Sequence, residues 1–258
     1  MAPKPSIVIV PGAWHSPAHF APTIALLESA GYAVHPVTLP SVGASPALAN
    51  WDPDVAAIRS VVETAIGPNG NPVVILAHSY GGLPTQDAIH DLDLPTRQSL
   101  GQPGGVIRLI YLAAFIGDVG QSLLEHTGNK PSPWIVIDSE TDTALPSNPL
   151  NTFYHDVPAP LADVSASALR PHSLATFRST LARPPPWKRV PTTYIVCEGD
   201  RASAAALQEA RVAAVRRDPE GKVDAVERVG ASHSPFLSVP EWMAGAVRRA
   251  CGEEVGKL

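Results

Sequence analysis

Cysteine is almost absent from this chain, with two residues, Cys197 and Cys251, in 258. Two cysteines cannot build a disulfide framework, and neither stands in a paired metal-ligand spacing, so no metal site follows from them. Charge is sparse as well. Only 17% of residues are charged, and 24 acidic groups against 19 Lys and Arg leave a net charge of −5. Phosphate binding needs clustered Lys and Arg, so no nucleic-acid partner is expected. Long apolar runs are also missing. Ile7-Val8-Ile9-Val10 is far shorter than a signal-peptide core or the ~20 residues of a membrane span. The expectation is a cytoplasmic protein with no membrane association; Lys257-Leu258 resembles no retention or prenylation signal.

What is present is apolar material, 45% of residues, enough for a full core without staples. Proline is in excess, at 28 of 258 residues or about 11% against a usual share of about 5%. Short β-branched runs alternate with stretches of helical periodicity. The expected strands are 6–10, 33–39, 72–77, 106–113, 192–198 and 222–229, and the expected helices are 19–30, 53–66, 80–92, 202–217 and 240–251. Runs such as Val73-Val74-Ile75-Leu76 are apolar at consecutive positions, as parallel strands covered on both faces require. The pattern predicts an α/β fold with a doubly wound, mostly parallel sheet of about six strands.

From Phe115 to Pro191 the alternation stops. These 77 residues hold 11 of the prolines together with Trp134, Phe153, Tyr154, Leu169, Leu174 and Phe177, which give them apolar groups to pack. A structureless loop of that length does not suit a compact domain. Residues 115–191 are therefore read as an inserted cap, with 1–114 and 192–258 forming the core.

The strongest chemical signal is Val73-Val74-Ile75-Leu76-Ala77-His78-Ser79-Tyr80-Gly81-Gly82. A buried strand runs into a small residue, a serine and a glycine pair that opens a helix. This is the order of a nucleophile elbow, whose small residues two before and two after the serine let neighbouring backbones approach. A serine at a helix N-cap is the plainer alternative. A nucleophilic serine needs a base, and among nine histidines His233 lies after the last expected strand, where catalytic groups of such sheets gather. His15, His19 and His35 lie near the first strands, His78 is expected to project away from the serine, and His90, His126, His155 and His172 fall in helix or cap. Asp200, just past the strand Thr193–Cys197 and 33 residues before His233, is the expected orienting acid, with Glu198 and Asp118 as rivals. The oxyanion donors would be the N–H groups of Tyr80 and of Ala13, in the turn Pro11-Gly12-Ala13-Trp14-His15.

With these residues in place, the chain resembles the α/β-hydrolase superfamily. Within it, the likeness is to the branch of plant-type methyl esterases and hydroxynitrile lyases and their fungal and bacterial esterase-like relatives. The matching stretches are Val10–His15, Ala77–Gly82, Tyr111–Phe115, Tyr194–Asp200 and Ser232–Pro235; Pro11 departs from the histidine usual in plant members. The resemblance implies a Ser79, His233 and Asp200 triad, an oxyanion hole from Ala13 and Tyr80, a lid before the strand leading to Asp200, and no cofactor.

The expected activity is serine hydrolysis of a small or medium hydrophobic ester or lactone through an acyl-enzyme. A lyase or a polyketide-type hydrolase or cyclase on the same triad is the alternative, since fold and motif do not separate them. Trp14, Phe115, Trp134, Phe153, Tyr154 and His155 are the expected pocket residues, with Phe177 and Trp187 as further aromatic candidates and Tyr154-His155-Asp156 set to bring a polar group over the serine. The partner is thus a small-molecule substrate, and the sequence does not address oligomeric state.

Overall fold

The computed structural model describes residues 4–256. Six parallel strands form one sheet: β1 (Ser6–Val10), β2 (Val34–Pro36), β3 (Pro72–His78), β4 (Gly105–Leu112), β8 (Thr192–Cys197) and β9 (Val223–Val229), in the order β2-β1-β3-β4-β8-β9. Every pairing is parallel, and β1 lies in continuous register with β3 from Ser6↔Val73 to Val10↔Ala77. Helices cover both faces, which is why Ile7 to Val10 and Val73 to Leu76 are wholly buried. The principal ones are α1 (Ala21–Ser29), α2 (Asp52–Ile66), α3 (Gly82–Ala88), α7 (Ala205–Arg217) and α9 (Pro240–Ala250). No helix among the described residues is long and apolar enough to cross a membrane.

Several expected elements are shorter than their periodicity implied, mostly for reasons of backbone chemistry. The strand expected at 33–39 reduces to Val34–Pro36 on the sheet edge, where a proline that cannot donate to a ladder is tolerated. The helix expected at 80–92 begins as a single 3-10 turn, Ser79–Gly81, continues as α3, and stops before Asp91, whose φ is +65°. The short helix α4 (Leu94–Ser99) was not expected; Asp93 caps it by accepting from the Thr96 N–H.

Between β4 and β8 the chain builds a second, antiparallel sheet, β5 (Ile135–Asp138), β6 (Thr143–Pro146) and β7 (His172–Ser173), and the short helices α5 (Pro149–Thr152) and α6 (Ala159–Ser167). Sequence periodicity did not reveal these strands, because they are brief and mix buried with exposed positions without a sustained alternation. Polar links from this segment reach the core. The Trp14 indole N–H donates to Ala144 O at 2.7 Å, the Arg170 N–H donates to Trp14 O, and the Ser173 N–H donates to Ser41 O. The short helix α8 (Pro235–Ser238) follows His233 on the other side.

One buried carboxylate ties the core beneath the C-terminal ends of the strands. Asp54 in α2 is fully buried and accepts from the Ser41 N–H (2.8 Å), the Ser41 hydroxyl (2.6 Å) and the Tyr80 hydroxyl (2.7 Å). Burial raises its pKa, and those three donors work in the opposite direction. Tyr80→Phe removes one donor and leaves the carboxyl short of a partner, so we expect a loss of about 1–3 kcal/mol in urea unfolding. An unchanged midpoint would show that the contact contributes nothing.

Candidate active site

Strand β3 delivers Ser79 with a φ of +52°, in the left-handed region that is strained for a residue with a Cβ. Close backbone packing holds it there. A Cβ at Gly81 would lie 2.3 Å from Pro11 O, and one at Gly82 would lie 2.2 Å from Phe115 O, so only glycine lets the ends of β1 and β4 approach the turn. The Phe115 N–H also donates to Ser79 O. Ser79 lines a cavity of about 530 Å³ together with Ala13, Tyr80 and His233. Among the described residues the Ala13 N–H finds no acceptor. Tyr80 is the second residue of its helical turn, where amides lack an intrahelical acceptor. Both N–H groups stand on residues that border the serine's cavity.

Past the end of β8, Asp200 turns back toward the chain that follows β9. Its Oδ2 lies 2.6 Å from His233 Nδ1, and the two side chains are 0% and 4% exposed. Because a carboxylate only accepts, Nδ1 carries the proton, and Nε2 is left with a lone pair and no hydrogen bond among the described residues. The remaining lone pairs of Asp200 take the N–H groups of Ala202 (2.7 Å) and Ser203 (2.9 Å) and the side-chain amide of Gln208 (3.0 Å). Sequence reasoning did not single out Gln208. It is wholly buried, and it also accepts from the Cys197 N–H, which locks the loop that presents Asp200. Glu198 and Asp118, the rival acids, are exposed and do not bond His233. No hydrogen bond joins Ser79 Oγ to the imidazole in this conformation; such contacts commonly tighten only around bound substrate.

Four further histidines surround the site from below. His78 does not line the serine's cavity, in keeping with its expected direction, but its ring lies 4.6 Å from that of His233, and its Nε2–H donates to His233 O at 3.0 Å. His15 donates from Nδ1 to Ala13 O (2.7 Å) and accepts from the Tyr154 hydroxyl at Nε2 (2.9 Å). His19 accepts at Nδ1 from the Ser16 N–H and donates from Nε2 to Ser165 O. His172 packs flat on Phe177 at 5.0 Å. Burial holds His15 and His78 well below the ordinary histidine value, assisted by neighbouring imidazoles, and pushes His172 down to about 3.

Of the expected pocket residues, Trp14, Phe115 and Trp134 line the cavity, and Phe153, Tyr154 and His155 do not. Phe153 is buried behind Trp14, stacked at 5.8 Å, and contributes to the packing of His233. Tyr154 spends its hydroxyl on His15 instead of facing the serine. His155 points outward and contacts Asn151 O, and Asp156 accepts from the Ser232 N–H. Phe177 also lines the cavity, whereas Trp187 is buried away from it and donates to Gly117 O; Leu123, Pro131, Pro133 and Leu207 complete the wall. Leu123, Pro131 and Pro133 come from segments without periodicity and Leu207 from helix α7, which the fold brings to the same wall. Among the described residues, no group of three or more His, Cys, Asp or Glu side chains is placed to hold a metal ion.

Residues 7–246 match the model of the alpha/beta hydrolase family, and the chain belongs to that family. It is 32% identical to the alpha/beta hydrolase nvfD of Aspergillus novofumigatus over 258 residues, which covers 98% of both chains. Its fold is similar to that of polyneuridine aldehyde esterase, with a TM-score of 0.75 at 19% identity over 96% of this chain and 99% of the other. It is similar also to tomato methylketone synthase I complexed with 2-tridecanone, with a TM-score of 0.76 at 18% identity over 97% and 98%.

The buried imidazoles fix how stability depends on pH. In the unfolded chain they take up protons below about pH 6.5. In the folded protein His15, His78 and His172 resist protonation to much lower pH. The unfolded state therefore binds more protons between those limits, so the stability present above pH 6.5 is lost as pH falls. The raised pKa of Asp54 acts with opposite sign, but nearer the carboxylate range. The urea midpoint is expected to be lower at pH 5.5 than at pH 7.5, and a higher midpoint at pH 5.5 would contradict this linkage.

Proposed function

We propose that this protein is a serine hydrolase that cleaves a carboxylic ester or lactone through an acyl-enzyme. The observation that carries the reading is the buried 2.6 Å pairing of His233 Nδ1 with Asp200, which leaves Nε2 unpaired beside the cavity that Ser79 lines. In the proposed reaction Ser79 Oγ attacks the carbonyl carbon while His233 Nε2 takes its proton. The tetrahedral oxygen gathers charge between the Ala13 and Tyr80 N–H groups, and the alcohol leaves with the proton from His233. Water then attacks the acyl-serine, His233 again acting as base, and the acid departs. Asp200 holds the required tautomer and stabilises the imidazolium without taking the proton.

The largely apolar wall, with Trp14, Phe115, Trp134 and Phe177, supports a hydrophobic substrate body. In this reading the segment between β4 and β8 acts as the cap over the site, and no cofactor takes part. His78 serves as a positioning residue, because its bond to His233 O fixes the backbone of the proposed base.

Turnover of short p-nitrophenyl esters, together with Ser79 labelling by a fluorophosphonate, tests the proposal. Ser79→Ala should lower kcat by about 10⁶-fold and abolish labelling. Asp200→Asn should cost about 10⁴-fold by presenting the wrong tautomer. Wild-type protein that neither turns over nor labels would end the serine-hydrolase reading.

A further inference from the structure

The wall of the Ser79 cavity holds one buried charge that the proposed acyl transfer does not use. Arg211, in α7, is 8% exposed and borders the cavity. Its guanidinium lies 4.3 Å above the Phe115 ring and donates from Nη1 to Ser203 Oγ at 2.8 Å. Among the described residues no carboxylate pairs with it, in contrast to Arg249, which is bonded twice by Glu227. Asp118 and Asp218 border the shallow hollow on its other side, yet neither bonds it, and Asp218 is paired with Lys188. A buried cation without a counter-charge costs several kcal/mol, and buried charges are ordinarily paired.

The cavity wall does not supply that counter-charge, and Asp200, reached through Ser203, is already bonded to His233, Gln208 and two backbone amides. No Asp or Glu side chain lines the cavity; its only other titratable groups besides Arg211 are Tyr80, His126, Lys130 and His233. His126 beside it is pushed down to about 4 by burial and by Arg211, so it stays neutral at physiological pH. Lys130, exposed on the segment before β5, adds positive charge to the same wall. A cavity that is apolar over most of its lining and cationic at one place, in a protein of net charge −5, is complementary to an apolar molecule with an anionic group.

We propose that Arg211 is a specificity-determining residue that binds a carboxylate of the substrate, so that the preferred ester is one whose acyl part ends in a free acid. The guanidinium is pre-organised for this. Stacking on Phe115 fixes its plane, and the bond to Ser203 joins it to the loop whose N–H groups hold Asp200. Beyond Ser203 and the neighbouring Tyr194 hydroxyl, its five N–H donors leave enough for a two-pronged contact, which a lysine ammonium reproduces only in part. The proposal rests on the acyl-transfer reading for its reaction, although the binding itself does not need Ser79.

The test compares p-nitrophenyl hemiadipate with p-nitrophenyl hexanoate, which differ by a terminal carboxylate in place of a methyl group. The wild type should favour the hemiadipate in kcat/KM, and Arg211→Met should lower that preference by about tenfold or more, mainly through KM. Arg211→Lys should restore part of it. General damage to the fold would lower both substrates and leave the ratio where it was, which would overturn the proposal, as would a wild-type preference for the hexanoate. A separate arm measures calorimetric binding of monomethyl adipate to Ser79→Ala, with and without Arg211→Met. If no ester is turned over but Arg211→Met still weakens that binding, the hydrolase reading fails and the carboxylate site stands. Equal binding by the two proteins sinks the site whatever the catalytic result.

Discussion

At Ser79 the chain leaves a fully buried strand with a φ of +52°, and keeps this conformation because three strand ends crowd around one turn. A left-handed residue with a Cβ costs about 1–2 kcal/mol, so it survives only where its neighbours over-determine it. Here the backbone after β1 presses on Gly81, the backbone after β4 presses on Gly82, and the Phe115 N–H bonds Ser79 O. The register of β1 with β3 and of β3 with β4 sets those approaches, so the position of the serine is a property of the whole sheet. Substitution anywhere along that packing reaches the site through the backbone.

A second tier of buried polar groups fixes the remaining parts. Asp200 is held by two amides, Gln208 and His233, so its lone pairs are spent before any substrate arrives. His78 anchors His233 through its carbonyl, His15 bonds the Ala13 carbonyl, and Asp54 takes the hydroxyl of Tyr80. Asp200, His233, Ala13 and Tyr80 thus each have a partner one layer further in, and in a low-dielectric interior a missing partner is costly. Arg211 departs from this pattern, with its stem and ring face satisfied and its charge left without an opposite.

Much of this was open to reading in the primary structure. The six strands, their parallel character and the main helices follow from consecutive apolar runs and helical periodicity, and Ser79, Asp200 and His233 follow from their places just beyond strands. The segment between β4 and β8 was legible only as material that had to pack. Its antiparallel strands are two to four residues long, too short for alternation to be distinguished from chance. Aromatic character pointed to Phe153 and Tyr154 as pocket residues, and both proved to be interior packing, because a large ring gives the same compositional signal in either place.

The order of residues along the chain was enough for the fold class and for the elbow, since both depend on local patterns: runs of apolar residues, and a serine between small ones. Which side chains meet was a matter of folding alone. Gln208 and Asp200, His78 and the His233 carbonyl, and Arg211 and Phe115 come together through sheet register and helix placement. Their separations in the chain range from eight residues to 155, and no periodicity couples positions so unequally spaced. The charge balance of the cavity emerged at the same level, because whether an arginine is solvated or stranded depends on which carboxylates the fold carries past it.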